Sequence, residues 1–267
     1  MSQRRSGPSS YLDFAHSLAD LAGEVVLRYF RRRLNVDNKA GAGGFDPVTA
    51  ADRAAERAIR TAIAKRFPDH GIIGEEYPER HGAGRYTWVL DPIDGTRAFI
   101  MGSPLWGTLI ALNDKGTPIL GMMDQPFTRE RFWGVSGHAR MRDLNSRTRK
   151  LKTRGCDSLR DAVLTTTHPD LFVPRSDAAA FERLTKKVRM TRYGGDCYGY
   201  CLLAAGYVDL VVEVGLKPYD VAALIPIIEG GGGLITTWEG ASPAKGGRIV
   251  AAGDARMHEE AMAILNS

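Results

Sequence analysis

The chain has 267 residues, of which 43% are hydrophobic and 25% charged. This is the composition of an ordinary globular protein with ample material for a core. No apolar run approaches the roughly 20 residues that a membrane-spanning helix needs, and residues 1–10 lack the apolar stretch of a signal peptide. We therefore expect a soluble cytoplasmic protein without membrane contact. The three cysteines are an odd number, which argues against a disulfide framework, and we expect buried thiols at Cys197 and Cys201.

The net charge of +5 and the isoelectric point of about 9.1 raise the question of nucleic-acid binding. The basic excess is concentrated in one stretch with little apolar patterning, which contains Arg140, Arg142, Arg147, Arg149, Lys150, Lys152 and Arg154. We interpret this stretch as a solvated connector between two halves of the chain, with a nucleic-acid-binding arm as the less favoured alternative.

Helical periodicity opens the chain. Apolar residues recur at helical spacing and predict a first helix over Tyr11 to Arg33. The glycine-rich segment from Lys39 to Phe45 predicts a loop, and a second amphipathic helix is expected to start near Thr49. Asp52 would then lie in the first turn of that helix.

From Gly71 onward the pattern changes to short apolar runs bounded by turns, which is typical of strands. One sheet is predicted from Ile72–Ile73, Tyr86–Leu90, Gly107–Leu112, Ile119–Met123 and Arg131–Val135. Further strands, alternating with apolar helices, are predicted at Ala162–Thr166, Val188–Arg192, Val208–Val214, Leu234–Trp238 and Arg248–Ala251. This alternation indicates an α/β second half. We divide the chain into an N-terminal α+β part, residues 1–145, and a C-terminal α/β part, residues 146–267.

Two acids follow directly on a buried strand. The apolar run that ends at Leu90 leads into Asp91-Pro92-Ile93-Asp94-Gly95-Thr96, so that both carboxylates lie at the edge of a sheet. Such close carboxylates repel each other unless a cation lies between them, and oxygen ligands suit Mg²⁺. Exposed amides at the helix start near Thr96 would suit a phosphate. The alternative reading of this motif is a capped loop.

Two further acids stand at the ends of predicted elements. Glu75 follows the apolar pair Ile72–Ile73, and Asp220 opens an apolar helix after Pro218. Taken by itself, Asp220 reads equally well as an acid that stabilises a helix N-terminus.

These pieces together resemble the inositol monophosphatase family. The matching segments are Asp46–Asp52, Gly74–Glu76, Asp91–Thr96 and Asp220–Ala223, in that order, and the resemblance covers the chain from about Phe14 to its end. It implies the αβαβα sandwich of inositol monophosphatases and fructose-1,6-bisphosphatases, a Mg²⁺-dependent phosphomonoester hydrolase, and a homodimer. The fold class expected is therefore α/β, as a layered α+β sandwich.

The resemblance also implies a set of metal ligands. Glu75, Asp91 and the carbonyl of Ile93 would hold one Mg²⁺, and Asp91, Asp94 and Asp220 would hold a second. A third, weaker ion near Glu75 is a further expectation from the family.

Roles in the reaction follow from the same resemblance. Glu75 and Thr96 would hold the attacking water, with Asp52 behind them as a supporting acid. The amides of Gly95 and Thr96 would bind phosphate, and no covalent phosphoenzyme is expected. Two metal ions can acidify water and stabilise the leaving oxygen, which agrees with this scheme.

Several segments resemble the histidinol-phosphate phosphatase branch of the family. They are Asp94–Phe99, Asp124–Thr128, Thr166–Phe172, Arg192–Tyr198 and Gly215–Asp220. Histidinol phosphate carries an ammonium group and an imidazole, so its pocket should present acids beyond those that hold metal.

Asp196 and Glu213 are the candidates for these extra acids. The alternatives are a helix N-cap for Asp196 and an exposed strand-end acid for Glu213; Glu213 also matches a family position that contacts inositol. Arg97 would touch substrate or pair with a nearby acid. The runner-up functions are an inositol-1-phosphate phosphatase and, from another class, a nucleic-acid-associated regulator that uses the basic stretch.

Overall fold

The structure is a computed structural model that describes residues 8–33, 36–38 and 47–267. The predicted loop at Lys39–Phe45 and the motif residue Asp46 lie outside the described residues. Helix α1 spans Pro8–Val26 and helix α2 spans Ala50–Arg66. A short antiparallel pair, β1 (Val36–Asn38) and β2 (Pro47–Thr49), precedes α2.

Helix α1 ends earlier than predicted. After Val26 the chain continues through turns in which Arg28 and Tyr29 donate to carbonyls three residues back, and Arg31 adopts a left-handed φ of 58°. Phe30 is nevertheless buried, so the apolar spacing extends beyond the helix itself. The periodicity therefore reported burial correctly and the helix end wrongly.

A mixed seven-stranded sheet has the order β3-β4-β5-β6-β7-β8-β9. Its strands are β3 (Gly71–Gly74), β4 (Tyr86–Asp94), β5 (Gly107–Asp114), β6 (Thr117–Gln125), β7 (Glu130–Val135), β8 (His138–Arg142) and β9 (Thr148–Lys150). Strands β3 and β4 are parallel and the other neighbours are antiparallel. Because side chains alternate along a strand, Trp88 and Leu90 pack under α1 and α2 while Val89 faces the opposite side.

The basic stretch is not the simple connector that we expected. Residues 138–142 and 148–150 form the antiparallel pair β8–β9 at the end of this sheet, with Arg140 opposite Lys150. The pattern was missed because only Ala139 and Met141 of β8 point into the core, and basic residues surround them. The division of the chain at residue 145 stays a prediction; the two strands lie on either side of it.

A second sheet has five strands in the order β11-β10-β12-β14-β13. They are β10 (Val163–Thr166), β11 (Met190–Tyr193), β12 (Leu210–Leu216), β13 (Leu234–Thr237) and β14 (Gly247–Ala252). The helices of the chain beyond α2 are α3 (Thr96–Ile100), α4 (Arg175–Thr185), α5 (Asp196–Ala204), α6 (Pro218–Val221), α7 (Leu224–Gly230) and α8 (Ala255–Leu265). Short 3₁₀ turns occupy Leu159–Asp161, Pro169–Leu171 and Pro243–Lys245.

The layers stack as predicted. Apolar residues of α5 and α7 fill the space between the two sheets, and those of α4 and α8 cover the outer face of the five-stranded sheet. With α1 and α2 outside the seven-stranded sheet, the order is helix, sheet, helix, sheet, helix, which confirms the αβαβα architecture. Cys197 and Cys201 are buried free thiols in the middle layer, also as expected. Among the described helices, none combines the length and apolar character that crossing a membrane requires.

Candidate active site

Three carboxylates meet where β4 ends. Asp91 and Asp94 lie on the last part of β4, and Asp220 comes from the short helix α6, which contacts that strand. One carboxylate oxygen from each of the three lies within 4.8 Å of the others. The parallel register sets Gly74, the last residue of β3, beside Leu90, and the acids Glu75 and Asp91 follow directly on these two residues. The sequence had placed these four acids at element ends, and the fold gathers those ends.

The cluster is electrostatically unfavourable without a cation. Burial, followed by the charges of Glu75, Asp94 and Asp220, raises the pKa of Asp91 well above its usual range. Burial and then Asp196 and Asp220 do the same for the pKa of Asp94. Burial is also the main cause that raises the pKa of Asp220 to about 7. At neutral pH these acids would therefore be partly protonated unless a positive ion bound among them stabilised their ionised forms.

The donor chemistry fits a hard divalent cation. The grouped atoms are carboxylate oxygens, with no sulfur or imidazole ligand among the three, and Mg²⁺ prefers a few carboxylates together with water and substrate oxygens. Asp91 accepts a hydrogen bond from the backbone N–H of Ile93 at 3.0 Å, which folds the turn around the site. This hydrogen bond is also the one that a capped loop would have, so the Asp91 side chain both stabilises the turn and belongs to the candidate metal site.

Gly95 and Thr96 form the turn above these acids. Gly95 has a φ of 86°, and a Cβ there would stand 2.9 Å from the carbonyl oxygen of Leu105, so both its conformation and its surroundings require glycine. Thr96 opens α3, as predicted, and its hydroxyl donates to the Ile93 carbonyl at 3.0 Å. The Ile93 carbonyl is thus held in place by the residue that follows Gly95.

Asp52 lies at the start of α2, where the sequence placed it. Thr49 caps the helix and donates its backbone N–H to Asp52 at 2.8 Å, while the Thr49 hydroxyl donates to the same oxygen. The other carboxylate oxygen, Oδ1, is buried without a hydrogen-bond partner. Burial is the main cause that raises the pKa of Asp52 to about 6, and the charges of Glu76 and Glu75 contribute. The acid is therefore both a capping group and a neighbour of the Glu75 segment.

A cleft of about 590 Å³ opens from these acids. Predicted site residues on its walls are Glu75, Asp94, Gly95, Thr96, Arg97, Asp196, Glu213 and Asp220. Asp91 is only 2% exposed and is not among the residues that line the cleft. The structure therefore brings the predicted substrate-contacting residues to the same cavity as the acid cluster.

Asp196 and Glu213 form a second acidic pair in the cleft. Burial and the charge of Glu213 raise the pKa of Asp196 to about 7, while Arg97 acts in the opposite direction. Glu213 accepts the backbone N–H of Thr167 at 2.8 Å and the Tyr200 hydroxyl at 3.3 Å. These contacts lower the pKa of the Glu213 carboxyl, but its burial outweighs them and leaves that pKa raised.

Both structural alternatives for these acids are wrong. The N-cap of α5 is Gly195, without a side-chain capping bond, and Asp196 is the first helical residue with a φ of 43°. Glu213 is 4% exposed inside β12, so it is not an exposed strand-end acid. Asp220 does serve its helix, since it accepts the Lys217 N–H at 2.6 Å, and this use does not remove it from the cluster.

Several wall residues were not predicted as site residues. They are Ala98, Met101, Ser103, Leu105, Thr167, His168, Leu171, Tyr193, Gly194, Leu216, Lys217 and Tyr219. Thr167, His168 and Tyr193 belong to segments already noted for their branch resemblance, which was the available signal. Their approach to the cleft depends on the parallel pairing of β10 with β11 and β12.

Comparison with known proteins agrees with this geometry. The model of the inositol monophosphatase family matches residues 8–267. A bifunctional phosphatase IMPL2, chloroplastic, of Arabidopsis thaliana is 46% identical over 258 residues, covering 92% of this chain and 72% of the relative. A histidinol-phosphatase of Chlorobaculum parvum is 36% identical, with 86% of each chain covered. A Nus factor SuhB of Pasteurella multocida is 33% identical, with 90% of each covered.

Among solved structures, an inositol monophosphatase from Zymomonas mobilis superposes with a TM-score of 0.86 at 42% identity, covering 98% of this chain and 100% of that one. The family is generally metal-dependent, in keeping with the acidic cluster. From the family match over almost its whole length, the chain belongs to the inositol monophosphatase family and is a phosphatase, a hydrolase of phosphomonoesters.

Proposed function

We propose that the protein is a Mg²⁺-dependent histidinol-phosphatase, which converts histidinol phosphate and water to histidinol and phosphate in histidine biosynthesis. The observation that carries the metal-dependent part is the convergence of Asp91, Asp94 and Asp220, all with raised pKa values, at one end of the cleft. Glu75, Asp91 and the Ile93 carbonyl would hold one ion, and Asp91, Asp94 and Asp220 a second. Bound Mg²⁺ would neutralise phosphate charge and acidify water.

The chain's own residues have separate tasks in this proposal. Glu75 and the Thr96 hydroxyl orient the attacking water, and Asp52, with its unpartnered Oδ1, supports them as an acceptor behind. The Gly95 and Thr96 amides bind phosphate at the turn that the left-handed backbone of Gly95 forms beside the cleft. No covalent intermediate with the chain is involved.

The choice of histidinol phosphate rests on the second acidic pair. Asp196 and Glu213 line the same cleft as the metal cluster, and their carboxylates suit the ammonium and imidazole of this substrate. The named histidinol-phosphatase relative, which covers 86% of the chain, supports the same choice. Arg97 lies close enough to Asp196 to influence its charge, so it would orient that acid or contact the substrate.

Inositol phosphate is the second candidate. The solved inositol monophosphatase from Zymomonas mobilis has 42% identity, which exceeds the 36% of the histidinol-phosphatase. An inositol ring is uncharged, so it gains less from Asp196 than a cationic substrate does.

The deciding experiment measures kcat/KM for histidinol phosphate and inositol-1-phosphate on one preparation at saturating Mg²⁺. We expect the larger value for histidinol phosphate. A larger value for inositol phosphate would replace the substrate while leaving the metal mechanism in place, and no Mg²⁺-dependent turnover of either would reject the proposal.

Other parts of the proposal have their own tests. Two Mg²⁺ per active site, or three with the weaker ion, can be counted by equilibrium dialysis, and a homodimer by sedimentation velocity. Cytoplasmic location can be checked by fractionation.

A regulator that uses the basic β8–β9 strands is a further candidate because of the Nus factor relative. Such a protein would bind RNA with a steep salt dependence and show no turnover.

A further inference from the structure

Helix α2 carries a buried ion pair one turn beyond Asp52. Glu56 is fully buried, and the Nε of Arg60 donates to its Oε1 at 2.6 Å. A buried ion pair is a weak stabiliser, because the cost of removing both charges from water offsets their attraction. The role of this ion pair therefore has to be inferred from the groups that it contacts.

Both members of the pair bind the turn that follows Glu75. The Glu56 carboxylate accepts the backbone N–H of Glu76 at 2.7 Å and that of Tyr77 at 3.3 Å. Arg60 donates to the carbonyls of Tyr77, at 2.9 Å, and Pro78, at 3.0 Å. The acid holds the amides and the base holds the carbonyls of the same short segment.

The residue before Glu75 also contacts Glu56. A Cβ added at Gly74 would stand 2.1 Å from the Oε1 of Glu56 and 2.5 Å from its Cδ, so any side chain at this position would displace the carboxylate. Glu56 therefore touches the backbone on both sides of Glu75, at Gly74 and at Glu76. Between these two contacts, Glu75 directly follows β3, whose last pair with β4 sets Gly74 beside Leu90, the residue before Asp91.

We propose that Glu56, supported by Arg60, is a positioning residue that fixes the Glu75 carboxylate relative to Asp91 and so sets the affinity for the divalent cation. This inference rests on the proposed function, in which Glu75 is a metal ligand. Glu56 itself is not a ligand, since its carboxylate is occupied by two amides and a guanidinium.

The test is isothermal titration of Mn²⁺ and Mg²⁺ into wild-type, Glu56→Gln and Glu75→Gln proteins. Loss of an outer-shell partner typically weakens metal binding by about 10-fold to 100-fold, and we expect about 10-fold for Glu56→Gln because the ligands remain. For the same reason, its kcat should recover at saturating Mg²⁺ with only the half-saturating concentration increased. Glu75→Gln should not recover.

Asp209→Asn is the matched control. Asp209 is also a buried acid that pairs with an arginine, Arg154, and accepts a backbone N–H, from Val163, but it lies outside the acidic cleft. The Asp209→Asn variant should have a lower melting temperature than the wild type and the same Kd for the metal ion. Arg60→Lys, at a side chain 16% exposed, serves as a milder second variant and decides the matter if Glu56→Gln does not fold.

Wild-type metal affinity in both Glu56→Gln and Arg60→Lys, alongside lost binding in Glu75→Gln, would overturn the positioning role. Weakened affinity in Asp209→Asn equal to that in Glu56→Gln would overturn it too, since general destabilisation would then suffice. Unchanged metal binding in Glu75→Gln would reject the proposed metal site itself, which keeps the two failures apart.

Discussion

The protein buries acids in two very different ways. Asp124, on β6, is paired with the equally buried Arg131 at 2.6 Å, and Arg131 also reaches Asp20 at 2.7 Å. In the acid cluster, Asp91, Asp94 and Asp220 lie together, and none of them forms an ion pair within the part of the chain that the structure describes. The first group is neutralised by the chain and the second is not.

The difference separates a structural from a functional group of acids. Burial raises the pKa of Asp124, but the adjacent arginine opposes the rise. For Asp91, burial raises the pKa most, and the neighbours that contribute most after it, Glu75, Asp94, Asp220 and Asp52, are all acids that raise it further. Acids that repel one another in a buried cluster lower the stability of the fold. Such a cluster is typical of a functional site in which a bound cation balances the negative charge.

The largest effect is expected from Asp91→Asn. This change removes a charge from both proposed metal positions, and a loss of about 4 kcal/mol of charge stabilisation corresponds to about a 1000-fold fall in kcat. The fall should persist at any practical Mg²⁺ concentration, as measured by phosphate release. More than about a tenth of wild-type turnover at high Mg²⁺ would contradict the bridging role.

Removing the partner of Asp124 should have the opposite effect: it should lower the stability of the fold and leave catalysis unchanged. Arg131→Met leaves Asp124 buried without its partner, which typically costs about 3 to 5 kcal/mol of folding stability. Urea unfolding should show this loss, whereas the Mg²⁺ dependence of kcat in the folded enzyme should stay at wild-type values. A shifted Mg²⁺ requirement would show that the two groups of acids are coupled.

Asp220→Asn should stabilise the metal-free protein at alkaline pH. The native pKa of about 7 lies above the usual 3.8, so the native state holds the proton more tightly. The stability that this proton provides is lost as pH rises from about 4 to 7. Allowing for sharing among neighbours, we expect a gain of about 2 kcal/mol, or about 5 °C, at pH 8.

Thermal melts in EDTA from pH 5 to pH 8 measure this gain. The advantage of Asp220→Asn should grow as pH rises to about 7 and level off above it, because the Asp220 carboxyl is then ionised in both the native and the unfolded state. The asparagine oxygen can still accept the Lys217 N–H, so the contact with the helix start is kept. A variant less stable than wild type across the whole range would mean that the cap matters more than the cluster charge. Saturating Mg²⁺ should reverse the order of the two proteins.

Local patterns predicted what depends on neighbouring residues. The strand ending at Leu90 and the acids after it, the Thr49 cap and the Asp52 position are each written in a few consecutive residues. The end of α1 and the strands β8 and β9 were not predicted, because the residues there are buried by elements that are distant in the sequence. The contacts of Glu56 join residues 20 or 21 positions apart, and a short motif does not report them.

The cleft walls show the same limit. His168 and Tyr193 are brought together by parallel pairing of strands, so their part in the cavity could be expected only after the sheet order was known. The meeting of Asp91, Asp94 and Asp220, by contrast, was expected from the sequence, because each of these acids belongs to a short motif that the sequence shows directly.

The smallest effect, and the sharpest test of substrate choice, is expected from Asp196→Asn. Asp196 lines the cleft at the start of α5, with a positive φ and without a capping bond, so helix capping does not explain its placement there. If its carboxylate meets only the cationic end of histidinol phosphate, the change removes a ground-state contact, which appears mainly in KM. A charge-assisted hydrogen bond of about 1.5 kcal/mol corresponds to about a 10-fold increase in KM. Inositol phosphate, being uncharged at that end, should lose much less, and the Mg²⁺ dependence should stay unchanged for both esters. Equal losses for the two esters, or a shifted Mg²⁺ requirement, would instead place Asp196 with the acids of the cluster, because burial and then the Asp196 charge raise the pKa of Asp94.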